Sequence, residues 1–257
     1  MRWPPAGVPH RRTRPHRTAM PQIYYSPTFL DHDTGQHPEN ASRLREAVRV
    51  LGERRVLEQC QAEAFPPATA EDVTRVHTAA AIASLDALAT AGGGNADADT
   101  VVSPASVDVA RLAAGAVCEA TRQVVAGQAR RAFCLVRPPG HHAVADRAMG
   151  FCLINHIAVA ARLATDALQL DRVLIVDWDV HHGNGTQDLF AGDGRVGFFS
   201  AHRWPFYPGT GAGDETGAGD GLGATRNLPV EMGTSRDRYL SWFARELGDF
   251  ADRIKPN

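Results

Sequence analysis

Between Val173 and Gln187 the chain reads VLIVDWDVHHGNGTQ, and this segment constrains the fold more than any other. Four apolar residues, three of them β-branched, read as a strand buried on both faces. Asp177, Asp179 and His181 then alternate with Trp178 and Val180. If the strand continues that far, a period of two sends those three side chains to one side. Open α/β sheets carry their sites at the carboxyl ends of strands, and this cluster sits at such an end. Carboxylate oxygen with imidazole nitrogen suits zinc, with iron or manganese as alternatives. An acidic turn that merely ends a strand explains a single Asp. It does not explain this cluster followed by His182 and a Gly183-Asn184-Gly185 turn.

Other apolar runs give the architecture. Leu44, Ala47, Val48 and Leu51 share a helical face, with Ser42 as its expected N-cap. A second helix is expected from Ser103-Pro104 to Gly127, carrying Val109, Leu112, Ala113, Ala116, Val117, Ala120 and Val124. Strand-type runs at Ala132–Val136, Val173–Val176 and Val196–Phe199 alternate with a helix over Asn155–Leu168. A final amphipathic helix carries Tyr239, Leu240, Phe243, Leu247, Phe250 and Ile254, and Pro208–Gly223 reads as a Gly-rich loop. The pattern predicts an α/β fold, a parallel sheet with helices on both faces.

At 257 residues there is enough chain for one large domain, placed at 21–257. Residues 1–20 hold five arginines and four prolines and read as a disordered basic extension. A net charge of −2 gives no whole-chain reason to expect nucleic acid or membrane as partner. Cys60, Cys118, Cys134 and Cys152 form no CxxC pair, which fits a reduced, cytoplasmic setting. No segment marks a subunit interface, so a homo-oligomer stays open.

A second polar cluster, RPPGHH at Arg137–His142, follows the Ala132–Val136 run. Its adjacent imidazoles, His141 and His142, suit general acid and base roles near a metal. In GFCLIN (Gly150–Asn155), Phe151 reads as channel wall or as core, and Tyr207 in WPFYPGTG as facing a channel or packing.

Together RPPGHHA, MGFCLINH, VDWDVHHGNGTQ and SAHRWPFYPGTG resemble the histone deacetylase and acetylpolyamine amidohydrolase superfamily, particularly class II-like bacterial members. HPENASR and DADTVVSP match weaker blocks, and the resemblance runs from about residue 21 to the end. It implies an arginase/deacetylase-like fold and zinc-dependent hydrolysis of acetylated lysine or polyamine. Asp179 and His181 then match two ligands of one Zn2+, and His141 and His142 the tandem catalytic histidines. Asp177 orients His141, and Asn184 stands where other classes have Asp beside the second histidine. Gly150, Phe151 and Tyr207 match the walls of the acyl-lysine channel. The resemblance further implies K+ held by Asp177, Ser200 and Ala201 with the backbone of Asp179 and His181.

The family's third zinc ligand lies in a Ser-Ala-Gly-Phe-Asp segment and its oxyanion tyrosine in a Gly-Gly-Tyr segment, and neither segment occurs here. The sequence reading is therefore of C-terminal strands missing after Asn257, with an exposed sheet edge, weak stability and little activity. Asp214 and Asp220 are the substitutes at hand, but no strand is expected to aim them. The alternatives are a non-catalytic homologue that keeps only an acyl-lysine and metal pocket, and an arginase-like metal hydrolase. The tandem histidines argue against the latter.

Overall fold

The computed structural model describes residues 20–257, so the basic extension lies, apart from Met20, outside the described residues. In chain order the main elements are β1 (Gln22–Tyr24), α1 (Ala41–Glu53), β2 (Gln61–Ala62), α2 (Ala70–Thr74), α3 (Ala79–Thr90) and the hairpin β3 (Gly94–Asp97) and β4 (Thr100–Val102). There follow α4 (Ser106–Val125), β5 (Ala132–Cys134), α5 (His156–Arg162), β6 (Val173–Asp177), α6 (Asn184–Phe190), β7 (Val196–Trp204), β8 (Thr225–Glu231) and α7 (Arg236–Ile254).

Two three-stranded parallel sheets, ordered β2-β1-β5 and β6-β7-β8, form the frame. Strand periodicity distributes the core. Ile175, Val196 and Phe198 face the cluster built with α4 and α5, while Leu174, Val176, Phe199 and Ala201 face α7 through Phe250 and Ile254. Helices thus cover both faces of the second sheet, as the continuous apolar runs required. Phe198 and Phe199 are each fully buried, a contribution of about 1.5–3 kcal/mol apiece. Helix α4 is apolar on two sides. Val107, Ala110, Ala114 and Cys118 join the larger cluster, and Val109, Ala113, Ala116 and Ala120 pack with Tyr24 and Phe29 beside the first sheet.

Several boundaries differ from the sequence reading. Asn40, not Ser42, caps α1, its Oδ1 accepting the Ser42 N–H at 3.0 Å. Helix α4 starts at Ser106, where the Ser103 carbonyl accepts the Ser106 N–H. Helix α5 ends at Arg162 and continues as one π turn, Leu163–Ala167. Strand β7 runs on to Trp204, and β8 (TRNLPVE) escapes the sequence reading because its polar residues and Pro229 break the apolar run. Pro229 is tolerated because β8 is an edge strand. All four cysteines are free thiols. Among the described residues no helix is long and apolar enough to cross a membrane.

The carboxyl ends of the strands meet on one side. In the second sheet Asp177 pairs in register with Ser200, and Ser200 with Asn227, so a row of three polar residues crosses β6, β7 and β8.

Candidate active site

Strand β6 stops at Asp177, so the strand alternation expected through His181 does not exist. A different local device gives the same spacing. Asp177 Oδ1 accepts the Asp179 N–H at 3.0 Å, and Asp179 Oδ1 accepts the His181 N–H at 2.8 Å. Each is an Asx-type turn in which a carboxylate bonds the backbone two residues on. The consecutive turns wind the chain so that Asp179 and His181 converge, while Trp178 and Val180 stay exposed. Asp179 Oδ1 and His181 Nδ1 lie 3.1 Å apart. Donors about 2.0–2.1 Å from a tetrahedral zinc stand about 3.3 Å apart, so the pair fits two positions of such a site. Among the described residues no group of three or more His, Cys, Asp or Glu side chains is arranged to hold a metal. Asp220 is no substitute: it lines a separate cavity with Arg162, Asp193 and Arg195, at the end where β7 begins.

The turn after β5 supplies the histidines. His141 Nδ1 lies 2.8 Å from Asp177 Oδ2, and His142 Nδ1 lies 2.8 Å from Asn184 Oδ1. Their rings are 4.0 Å apart, centroid to centroid. Gly183 permits the first pairing, because a Cβ there would fall inside contact distance of Asp177 Oδ2. Gly150 takes φ +57°, and a Cβ on it would stand 2.5 Å from the His142 ring.

The two imidazoles sit in opposed environments. Burial disfavours a charge on His141, but the hydrogen bond and charge of Asp177, with Asp179 behind it, prevail and raise its pKa. Burial and then the charge of His141 press His142 down to about 4, and its bond to the neutral Asn184 does not compensate. The two neighbours are thus pushed apart, the protonated form favoured on His141 and the neutral form on His142.

Aromatic side chains wall the pair. Tyr207 stands edge-on to His142 at 5.1 Å, and Phe206 stacks on His181 at 5.1 Å with 9° between planes. Burial, then Asp99 and Asp97 of the hairpin, lift the Tyr207 phenol to about 12, so it stays neutral. Opposite, Phe151 holds φ +70°, an uncommon conformation for a bulky residue, with its N–H bonded to Thr100 Oγ1 and His37 edge-on at 4.5 Å. Ser200 is fully buried beside Asp177, its Oγ 2.9 Å from His202 Nδ1, while Ala201 packs in the α7 cluster. An open cleft of about 500 Å³ borders His141, Asp177 and Asp179.

Behind the tandem histidines lies a buried ion pair. Arg137 donates to Glu39 through Nε at 2.6 Å and a terminal nitrogen at 3.0 Å, and also to the carbonyls of Phe29 and His32. It ties the segment before α1 to the turn that carries His141. Sequence reasoning missed this pair, as it missed Phe206, His37 and Thr100. RPPGHH and HPEN stand out as blocks, but nothing in sequence says that residues 98 apart meet.

A model of the histone deacetylase domain matches residues 37–257. The chain belongs to the histone deacetylase family. It is 39% identical over 242 residues to an uncharacterized protein of Synechocystis, covering 93% of this chain and 78% of that one. It is 36% identical over 255 residues to the histone deacetylase-like amidohydrolase of Pseudomonas aeruginosa, covering 99% of this chain but 64% of that protein. The crystal structure of the HDA15 HD domain superposes with a TM-score of 0.88 at 36% identity, covering 93% of this chain and 70% of that one. Deacetylase-family membership accounts for the two parallel sheets, and the chain spans about two thirds to three quarters of the length of these relatives.

Proposed function

We propose that this deacetylase-family site hydrolyses the amide of an acetylated lysine or polyamine, releasing acetate and the free amine. The observation that carries this is the pair of adjacent imidazoles held by different partners, His141 by Asp177 and His142 by Asn184, beside the convergent Asp179 and His181. Opposed environments for neighbouring titratable groups are the mark of acid–base assignment. His142, neutral at pH 7, is the base that removes a proton from the attacking water. His141, whose protonated form Asp177 favours, stabilises the negative charge that develops on the carbonyl oxygen and supports proton return to the leaving amine.

Asp179 and His181 are the residues that would hold zinc, which when bound polarises the acetyl carbonyl and acidifies water. The oxygens of Asp177, Ser200 and Ala201, with the carbonyls of Asp179 and His181, are the proposed potassium cradle, a reading supported by the cross-strand pairing of Asp177 with Ser200. Gly150, Phe151 and Tyr207 grip the acyl-lysine stem. The relatives named as amidohydrolase and probable deacetylase are consistent with this class of reaction.

The second reading is a pocket that binds acyl-lysine without cleaving it, favoured by the two convergent metal donors among the described residues where a catalytic zinc normally takes three. Zinc content and acetate release from a fluorogenic acetyl-lysine peptide separate them. Stoichiometric zinc with chelator-sensitive release that H142A abolishes supports hydrolysis. Peptide binding with no release under any metal loading refutes it.

A further inference from the structure

The loop after β7 puts Phe206 against His181 and Tyr207 against His142, yet neither aromatic is itself hydrogen-bonded to the sheet. The tether lies a few residues on. Glu215 Oε1 accepts the N–H groups of Gly211 and Ala212 at 3.0 and 2.8 Å. Its Oε2 accepts from Gln187 Nε2 at 2.5 Å. Gln187, buried on α6, meets His182 Nε2 at 3.0 Å and Asn227 Nδ2 of β8 at 2.7 Å through its Oε1. His182 Nδ1 closes the circuit, 2.8 Å from Thr210 Oγ1 in the same loop.

Donor and acceptor chemistry fixes the sense of every link. A carboxylate only accepts, so the Gln187 amide must turn its NH2 to Glu215 and its oxygen to His182. An amide oxygen only accepts, so the 3.0 Å contact with His182 Nε2 requires His182 to carry its proton there. Nδ1 is then an acceptor, and Thr210 donates to it. One carboxylate therefore sets an amide orientation, an imidazole tautomer and a hydroxyl direction, and anchors both ends of the 210–215 segment.

We infer that Glu215 is a positioning residue: its carboxylate, through Gln187, His182 and Thr210, locks the loop that holds Phe206 against His181 and Tyr207 against His142. The consequence for catalysis rests on the proposed reading of Tyr207 as part of the acyl-lysine wall. The lock itself does not.

The test uses E215Q and the exchanged double variant E215Q/Q187E. In E215Q one acceptor replaces two: if the new amide oxygen keeps the Gly211 and Ala212 N–H groups, its NH2 meets the Gln187 NH2, and relieving that clash turns the Gln187 oxygen away from His182. In the double variant the carboxylate introduced at position 187 accepts from His182 and Asn227. The amide introduced at position 215 gives its NH2 to that carboxylate and its oxygen to the Gly211 and Ala212 N–H groups, so every bond is restored. Nitrogen-15 NMR should show His182 protonated at Nε2 in wild type and the double variant, with that signature lost in E215Q. Amide exchange over residues 205–216 should rise at least tenfold in E215Q and return in the double variant, with α7 unchanged throughout. KM for the acetyl-lysine peptide should rise in E215Q with kcat little changed, and recover on exchange. Wild-type His182 protonated at Nδ1, or equal exchange protection in E215Q and wild type, overturns the lock. NMR and exchange restored as expected with no turnover by wild type would instead refute hydrolysis and leave the lock standing.

Discussion

Replacing Glu39 by Gln should destabilise the fold far more than any surface charge change. Glu39 and Arg137 side chains are each 3% exposed, and the carboxylate takes two hydrogen bonds from the guanidinium. Gln keeps the volume but leaves a buried cation uncompensated and turns an NH2 toward it. Removing one partner of such a pair costs about 3–5 kcal/mol. At about 2–4 °C per kcal/mol for a domain of this size, Tm should fall by roughly 6–20 °C. Urea unfolding followed by circular dichroism gives the free energy directly, and an unchanged m-value would show that the denatured state is not the cause. E46Q on α1 is the control, because Glu46 and Arg49 are more than half exposed and should leave Tm unmoved. R137M/E39Q should be less destabilised than the sum of the single changes, since no charge is stranded. A loss below about 1 kcal/mol in E39Q would refute the claim that this pair is desolvated and cooperative with the fold.

Three further outcomes follow from the geometry. G183A should push Asp177 Oδ2 off His141, because its Cβ collides with the carboxylate while the backbone, at φ −75°, accepts Ala. Deacetylation should drop at least tenfold with far-UV circular dichroism unchanged, and wild-type turnover in G183A would contradict the packing. N184D places a carboxylate on His142 Nδ1, which should raise the His142 pKa from its depressed position near 4 and move the acid limb of the pH–kcat/KM profile upward. An unmoved limb would remove His142 as the base. The third concerns His32, buried with Arg137, Glu39, Asp33 and His37 around it. Burial and then the Arg137 charge hold its pKa at about 3, against about 6.5 unfolded. The folded pKa is the lower, so its contribution is complete above about pH 6.5 and is lost as pH falls toward 3, by about 1.4 kcal/mol per unit. H32Q should flatten that acid-side slope in denaturant titrations, and an identical slope would exclude His32.

What the sequence disclosed and what it hid differ in contact range. Asp177, Asp179, His181 and Asn184 fall within eight residues, and the turn that gathers them is made from their own side chains, so local pattern was enough. The apolar runs of β6 and β7 likewise announced strands covered on both faces. Strand β8 escaped because Asn227 is buried for its hydrogen bonds to Gln187 and the Gly-rich loop, not for hydrophobicity. Phe206 looked like its neighbours until folding laid it on His181. The Arg137–Glu39 pair and the Glu215 circuit join segments 28 to 98 residues apart, where only the tertiary fold sets the distance.

The Asx turns at Asp177 and Asp179 have a consequence for any mutational map of this site. Each aspartate bends the main chain with one oxygen, and Asp177 offers its other oxygen to His141. Alanine at either place removes a carboxylate from the site and uncoils a loop together, so its phenotype cannot be apportioned. Asparagine keeps an acceptor for the turn and removes the charge, and only the contrast between the two substitutions separates chemistry from architecture.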